Sequence, residues 1–349
     1  MNTRVCRLYG KGDLRVESDS VNTPGSGEVL VRVGRGGICG SDLHYFQDGG
    51  FGPIRVREPI IMGHEFAGTI EALGPDVETL QVGDRVAVNP SQPCGHCPYC
   101  QQDLSQHCLE MRFIGSAFHL PHEQGGFRER LVVAAEQCVK GEAESTVQEL
   151  ACAEPLAVCL HAAKNAGPLA GKKVLVNGAG PIGALCVAVA KHAGAAEIVV
   201  ADLFEKTLTV ALEMGAQRAI NVQEEPKAFA IYSKDKGYFD VVFECSAAQS
   251  ALENVFAAVK PLGTIVQVGV TGALSFPLNM LVGKEVKWVG SHRFHAEFTE
   301  AVKLISAGSI DVRPIVTDTF AIEEVHAAIK AASDRSQSVK VQVAFDGPA

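Results

Sequence analysis

Apolar positions in the first 150 residues come in short β-branched runs. Val29–Val33, Phe66–Ala72 and Asp84–Asn89 are such runs, divided by Gly- and Pro-rich turns, and each predicts a strand. The pattern changes near Leu150, after which continuous apolar runs alternate with alanine-rich stretches. Lys173–Val176, Ile198–Ala201, Val241–Glu244 and Thr264–Val268 predict buried strands, and Pro181–Ala193 and Thr207–Met214 predict helices. This alternation implies an α/β chain whose second part is a doubly wound parallel sheet. Beyond residue 290 the pattern predicts a helix, a strand, another helix and a closing strand, Val339–Phe345.

Composition narrows the classes. A chain of 349 residues suggests about two domains at roughly 150 residues each. The net charge of −9 argues against a nucleic-acid partner, which calls for a basic face. No apolar run reaches the roughly 18 residues of a membrane span. The opening MNTRVCRLYGKGDLRV has no apolar core of a secretory signal. A cytoplasmic protein with no membrane partner is therefore expected, and clustered cysteines in such a chain point to metal before disulfides.

Cys94, Cys97, Cys100 and Cys108 are spaced C-x2-C-x2-C-x7-C. Four thiolates so close together can close around one tetrahedral ion, which suits a structural zinc. An iron–sulfur cluster uses the same ligand set, and the flanking residues do not choose between them. Cys39, followed by Gly40-Ser41-Asp42-Leu43-His44, and the pair His64-Glu65 offer a thiolate, an imidazole and a carboxylate. Three mixed ligands with a fourth position open describe a catalytic zinc.

Lys173–Val176 runs into Asn177-Gly178-Ala179-Gly180-Pro181-Ile182-Gly183, a strand entering G-x-G-x-x-G ahead of a helix. Such a loop lets backbone N–H groups approach a pyrophosphate at a helix N-terminus. Asp202 lies 19 residues beyond Gly183 at the end of the next strand. There it can hold ribose hydroxyls and repel a 2′-phosphate, so NAD is expected over NADP. The nearby Lys206 softens that preference.

These segments, together with Ala153-Glu154-Pro155-Leu156-Ala157 and Gly290-Ser291-His292-Arg293-Phe294, resemble the zinc-dependent medium-chain alcohol dehydrogenases over the whole chain, and within them the polyol (sorbitol dehydrogenase-like) branch. The resemblance implies a GroES-like, mostly β catalytic domain over 1–155 with a structural-zinc lobe at 94–108, a Rossmann coenzyme domain over 156–290, and a return to the catalytic domain over 291–349. It implies two zinc ions, one catalytic and one structural, and a homodimer or homotetramer, with Thr264–Val268 and Thr271–Asn279 as a candidate interface. It assigns Cys39, His64 and Glu65 to the catalytic zinc. Glu154 stands where other members have a third ligand, so Glu65 and Glu154 both remain candidates. Ser41 matches the hydroxyl that receives the alcohol proton and His44 its solvent-side acceptor. Val268 and Gly269 are expected beside the nicotinamide, and Tyr45, Phe113 and Arg293 match the polyol pocket. The implied activity is NAD-linked oxidation of a secondary alcohol in a sugar acid or polyol. A sugar acid needs a cation for its carboxylate, with Arg293 the first candidate and Arg112 the second. Sorbitol-, xylitol- and threonine-type substrates remain alternatives, as does a non-catalytic, zinc-stapled nucleotide-binding protein.

Overall fold

The computed structural model describes residues 1–270 and 272–347. Among the described residues, Arg218–Asn221, Glu197–Asp202, Lys173–Asn177, Phe239–Glu244, Val259–Gln267 and Lys287–Gly290 form, in that spatial order, one wholly parallel sheet. Its strands are apolar on both faces because helices cover both. Val174 and Val176 face the helices Ala153–Ala166, Pro181–His192 and Glu297–Ser306, while Leu175 packs with Val242, Ile265 and Phe256 on the other side. Strand order reverses between Lys173–Asn177 and Phe239–Glu244. Ligands of doubly wound sheets bind at the carboxyl ends of the strands flanking such a reversal.

The second sheet is mixed. Glu28–Gly37 lies between Glu65–Leu73 and the C-terminal strand Lys340–Ala344, and also pairs with Arg130–Ala134. Lys340–Ala344 in turn carries Val316–Ala321. The last strands of the chain therefore rejoin its first half. Helix Ala153–Ala166 starts beside the mixed sheet and runs into the core of the parallel one, so the two layers share a rigid element. Helix Glu297–Ser306 packs on it.

The strands and helices expected at 29–33, 66–72, 173–176, 181–193, 198–201, 207–214 and 241–244 all form, to within a few residues. The strand expected at 264–268 begins earlier, at Val259, where Pro261 and Leu262 (φ +63°) accompany a shift of register against its neighbour. It is also an interior strand, hydrogen-bonded on both sides. It therefore offers no free edge for strand pairing; the edge strands of this sheet are Arg218–Asn221 and Lys287–Gly290. Of the other expected interface segment, Thr271 lies outside the described residues, while Phe276 and Leu278 are exposed. The hairpin Asn2–Gly10/Asp13–Ser20 was not anticipated, because charged residues on its outer face break up the apolar pattern. No helix among the described residues is long and apolar enough to cross a membrane.

One aromatic ring sets the path of the chain into the His64 segment. Phe127 is fully buried, lies against the backbones of Gly36 and Gly63, and tilts over Phe345 at 6.0 Å. Gly63 has φ +91°, and a side chain there would occupy the ring's position. Phe127→Ala is expected to cost about 3–5 kcal/mol, read as a lower urea midpoint at unchanged m-value.

Candidate active site

The loop after strand Glu28–Gly37 ends at Cys39, the N-cap of helix Gly40–Asp48. Asp42, fully buried, holds this turn: one carboxylate oxygen accepts from Cys39 N at 2.9 Å and the other from Gly63 N at 3.2 Å. It lies 4.0 Å from His64 Nδ1. One carboxylate thus sets the backbone positions of Cys39 and His64, residues 25 apart in sequence. Sequence reasoning passed over Asp42, although its spacing after Cys39 is that of a capping box. A thiolate, imidazole nitrogen and carboxylate oxygen of Cys39, His64 and Glu65 come within 4.8 Å of one another. That donor set fits a zinc ion with a further position open. Burial opposes a charge on His64, but the neighbouring Cys39 and Asp42 outweigh it and raise its pKa well above the ordinary value.

Glu65 has a partner that the sequence did not reveal. Lys340, 2% exposed, donates to both its carboxylate oxygens at 2.8 and 2.6 Å and to Ile38 O at 3.2 Å. Glu154 sits in the first turn of helix Ala153–Ala166 and is 7% exposed. Desolvation pushes its carboxyl up to about 7, opposed by His64 and reinforced by Glu65. Glu154 lies outside the three-atom cluster that Glu65 completes.

Beyond the cluster, Phe113 lies 5.6 Å from the His64 ring, and Arg293 stacks over Phe113 at 4.3 Å. Arg293 has φ +53°, a left-handed conformation unusual for a side-chain-bearing residue. Among the described residues it makes no ion pair, and burial lowers its pKa. Tyr45 is buried, and its hydroxyl accepts from Ala117 N at 3.2 Å. Arg112, by contrast, pairs with Glu123 at the surface and is withdrawn as a carboxylate ligand. Ser41 is half-buried in the first helical turn. His44, one turn on, is exposed, 3.0 Å from Asp48 and tilted against Phe51 at 5.2 Å.

In the lobe at 94–108 the sulfurs of Cys94, Cys97, Cys100 and Cys108 converge within 4.8 Å. Backbone N–H groups of Cys94 and Glu110 reach the Cys108 sulfur at 3.2 and 3.3 Å. Those of Cys100 and Leu109 lower the Cys97 thiol to about 6. Such donors stabilise thiolates, the form that binds metal, so the residues fit a closed four-sulfur site.

A cleft of about 560 Å³ runs from Cys39, Ser41, His44 and Glu65 to the strand ends of the parallel sheet. Gly178, Gly180, Pro181, Ile182, Gly183, Asp202, Val268 and Gly269 line it. A side chain on Gly183 would strike the Gly178 carbonyl, so the tight turn requires glycine. Asp202 accepts from Ala179 N at 2.5 Å, Leu203 N at 2.6 Å and Phe204 N at 3.2 Å, which braces the loop. Buried Glu244, also unanticipated, bonds Asn177, Ser246 and Ala247 beside it. These features fit a dinucleotide. Lys206 is exposed on helix Glu205–Met214 and is not among the cleft-lining residues.

Two family models match: the alcohol dehydrogenase GroES-like domain over residues 25–143 and the zinc-binding dehydrogenase domain over 181–307. L-idonate 5-dehydrogenase (NAD(P)(+)) of Escherichia coli is 40% identical over 346 residues, 99% of each chain. Sorbitol dehydrogenase of Bacillus subtilis is 31% identical over 347 residues, covering 98% of this chain and 97% of that one. The human sorbitol dehydrogenase is 34% identical over 323 residues, 91% and 89% of the two chains. The crystal structure of the Escherichia coli L-idonate 5-dehydrogenase superposes with a TM-score of 0.94 over 99% of both chains. The chain belongs to the zinc-dependent alcohol dehydrogenase family, in its polyol branch. It is an NAD(P)-linked zinc dehydrogenase.

Lys340→Met leaves the Glu65 carboxylate buried without its cation. It is expected to destabilise the protein by about 3–5 kcal/mol in urea titration, with Glu65→Gln added to the same chain recovering at least about half of the loss.

Proposed function

We propose that this enzyme oxidises L-idonate at C5 to 5-keto-D-gluconate, with NAD as the preferred acceptor. The observation that carries the reading is the guanidinium of Arg293, half-buried over Phe113, close to the metal-ligand group and in no ion pair among the described residues, with the charge of Glu154 acting on it from further off. A sugar acid whose C5 hydroxyl sits at Cys39, His64 and Glu65 presents its carboxylate at the far end of the chain. Arg can grip that carboxylate through two parallel hydrogen bonds. The relative of that name is 40% identical over 99% of both chains, which supports the same choice. The identities of 31–34% to sorbitol dehydrogenases support a second reading, a neutral polyol.

Cys39, His64 and Glu65 would hold one zinc ion, and Cys94, Cys97, Cys100 and Cys108 a second, structural one. The first would supply Lewis acidity that eases loss of the alcohol proton, and NAD, held along the glycine loop, would supply the hydride acceptor. The protein's own work is positioning and proton handling. Ser41, at the inner end of the cleft, takes the proton from the substrate hydroxyl, and His44 at the rim passes it to solvent. Glu154, its carboxyl raised to about 7, is assigned to the substrate or the metal on the side facing Arg293. Asp202 disfavours a 2′-phosphate by charge. The chain is read as a cytoplasmic homo-oligomer joined through the edge strand Lys287–Gly290 and the exposed Phe276 and Leu278.

Initial rates with L-idonate, D-sorbitol, xylitol and L-threonine, each with NAD and NADP, test the assignment. L-Idonate with NAD is expected to exceed the others in kcat/KM by about tenfold or more, equal to about 1.4 kcal/mol of transition-state discrimination. A lead for sorbitol or xylitol would transfer the assignment to a neutral polyol. Arg293→Gln is expected to lower kcat/KM for L-idonate by about tenfold to a hundredfold and to leave the rate on sorbitol within about threefold. Metal analysis should give two zinc ions per chain, falling to one in Cys97→Ser.

A further inference from the structure

A second cavity, of about 770 Å³, opens between the cysteine lobe and the edge of the parallel sheet. The lobe contributes Gln106 and His107, and the sheet contributes Gln267, Trp288 and Ser291. None of Cys39, Ser41, His64, Glu65, Glu154 and Arg293 lines it, and it shares only Gly269 and Val270 with the cleft of the glycine loop. Its volume is that of a small-molecule site, roughly 300–1,000 Å³. Its wall is also unsatisfied. Among the described residues, seven buried side-chain polar atoms have no hydrogen-bond partner. Three of them, Gln106 Oε1, Gln267 Oε1 and Ser291 Oγ, belong to this wall. Gln106 is 8% exposed. Buried polar atoms are nearly always paired, so three orphans at one cavity call for an occupant that supplies the bonds.

The wall selects the chemistry of that occupant. Gln267 Nε2 donates to Gly269 O at 2.9 Å, which leaves the amide oxygen as the free end. A carbonyl oxygen only accepts, and a hydroxyl both donates and accepts, so the missing partners are O–H or N–H groups. Carboxylates and phosphates bring acceptors where acceptors already stand, and the exposed Asp103 on the same wall opposes them further. The buried acid of the wall, Glu297, is committed to His161 Nδ1 at 3.2 Å, Lys164 Nζ at 3.3 Å and His295 N at 2.8 Å, so it has no charge to spare for a cation. Among the described residues, no three His, Cys, Asp or Glu donors of this wall come within 4.8 Å of one another, so it is not a metal centre. His107 and His292 stack at 6.1 Å, and with Trp288 they present flat rings. The negative face of such a ring suits the C–H side of a sugar chain or ring.

We propose that this cavity binds a neutral polyhydroxylated molecule, a polyol or sugar, at a site separate from the metal-ligand group. Hydroxyls of the ligand donate to Gln106 Oε1 and Gln267 Oε1 and exchange a hydrogen bond with Ser291 Oγ. The occupant bridges the cysteine lobe and the parallel sheet, and no bond is made or broken in it there.

Trp288 is the only tryptophan of the chain and lines the cavity, so its emission reports an occupant without turnover. The full-length protein, without NAD, is titrated with D-sorbitol and with D-gluconate, which differ by a carboxylate at one end. Sorbitol is expected to change Trp288 emission saturably, and gluconate to bind at least about fivefold more weakly. Gln106→Leu and Ser291→Ala are each expected to weaken sorbitol by about fivefold or more. Both should leave kcat/KM for the best substrate of the panel above within about twofold. No saturable change, or an affinity unchanged in both variants, would overturn the proposal and leave the cavity to solvent. Equal binding of gluconate would overturn the choice of a neutral ligand. Equal losses in sorbitol binding and in kcat/KM would overturn the separation from the metal-ligand group. Emission that shifts on dilution of the protein and ignores sorbitol would overturn it in favour of a second copy of the chain. If Gln106→Leu does not fold, Ser291→Ala and the sorbitol–gluconate comparison in the wild type decide the matter.

Discussion

The buried pair of Glu65 and Lys340 ties the active site to the ends of the chain. Glu65 opens the strand Glu65–Leu73, and Lys340 opens the C-terminal strand Lys340–Ala344. Both strands flank Glu28–Gly37. Their charged side chains meet just beyond its end, where Ile38 O also accepts from Lys340. A lone carboxylate in that place would be strongly disfavoured by burial, and so would a lone ammonium. Each is tolerated because the other is there, and both are there only when the C-terminal segment has come back to the first domain. The metal-ligand group is therefore a product of completed folding, because one of its carboxylates is held by a residue 275 positions away.

From that pair the electrostatics of the cleft can be followed outward. Asp42 aligns Cys39 with the His64 segment through backbone hydrogen bonds and favours the charged form of His64. Glu154, raised to about 7 by burial, acts electrostatically on both His64 and Arg293. Negative groups thus gather where a cation would sit, and an unpaired guanidinium lies just beyond Phe113. At the other end, the glycine loop offers N–H donors and a helix terminus, with Arg335 facing them. The cleft is polarised along its length, with metal-binding groups at one end and the glycine loop at the other, while Arg293 lies outside it, over Phe113. Such a layout accommodates an anionic substrate and an anionic coenzyme without putting their charges in the same place.

Much of this was legible in the sequence, for identifiable reasons. The doubly wound sheet announced itself because its strands are buried on both faces and its helices are alanine-rich, so periodicity alone separated them. The cysteine lobe and the glycine loop were legible because each function there depends on residues close together in sequence. The hairpin Asn2–Gly10/Asp13–Ser20 was hidden by its charged outer face. The interior position of Val259–Gln267 was hidden because pattern cannot say which buried strand lies at an edge. Arg112, the second candidate for a carboxylate after Arg293, pairs with Glu123, which is distant from it in pattern and close in space.

By itself the sequence determined the local chemistry: where thiolates cluster, where a turn admits only glycine, and which segments alternate between strand and helix. These depend on spacings of a few residues. The tertiary structure decided which distant groups share a site. It brought Lys340 to Glu65, aimed Asp42 at Gly63, left Arg293 and Arg335 outside any ion pair among the described residues, and sent Arg112 and Lys206 to the surface. Pairing of charges is governed by distance and burial in space, and neither quantity is carried by the order of residues along the chain.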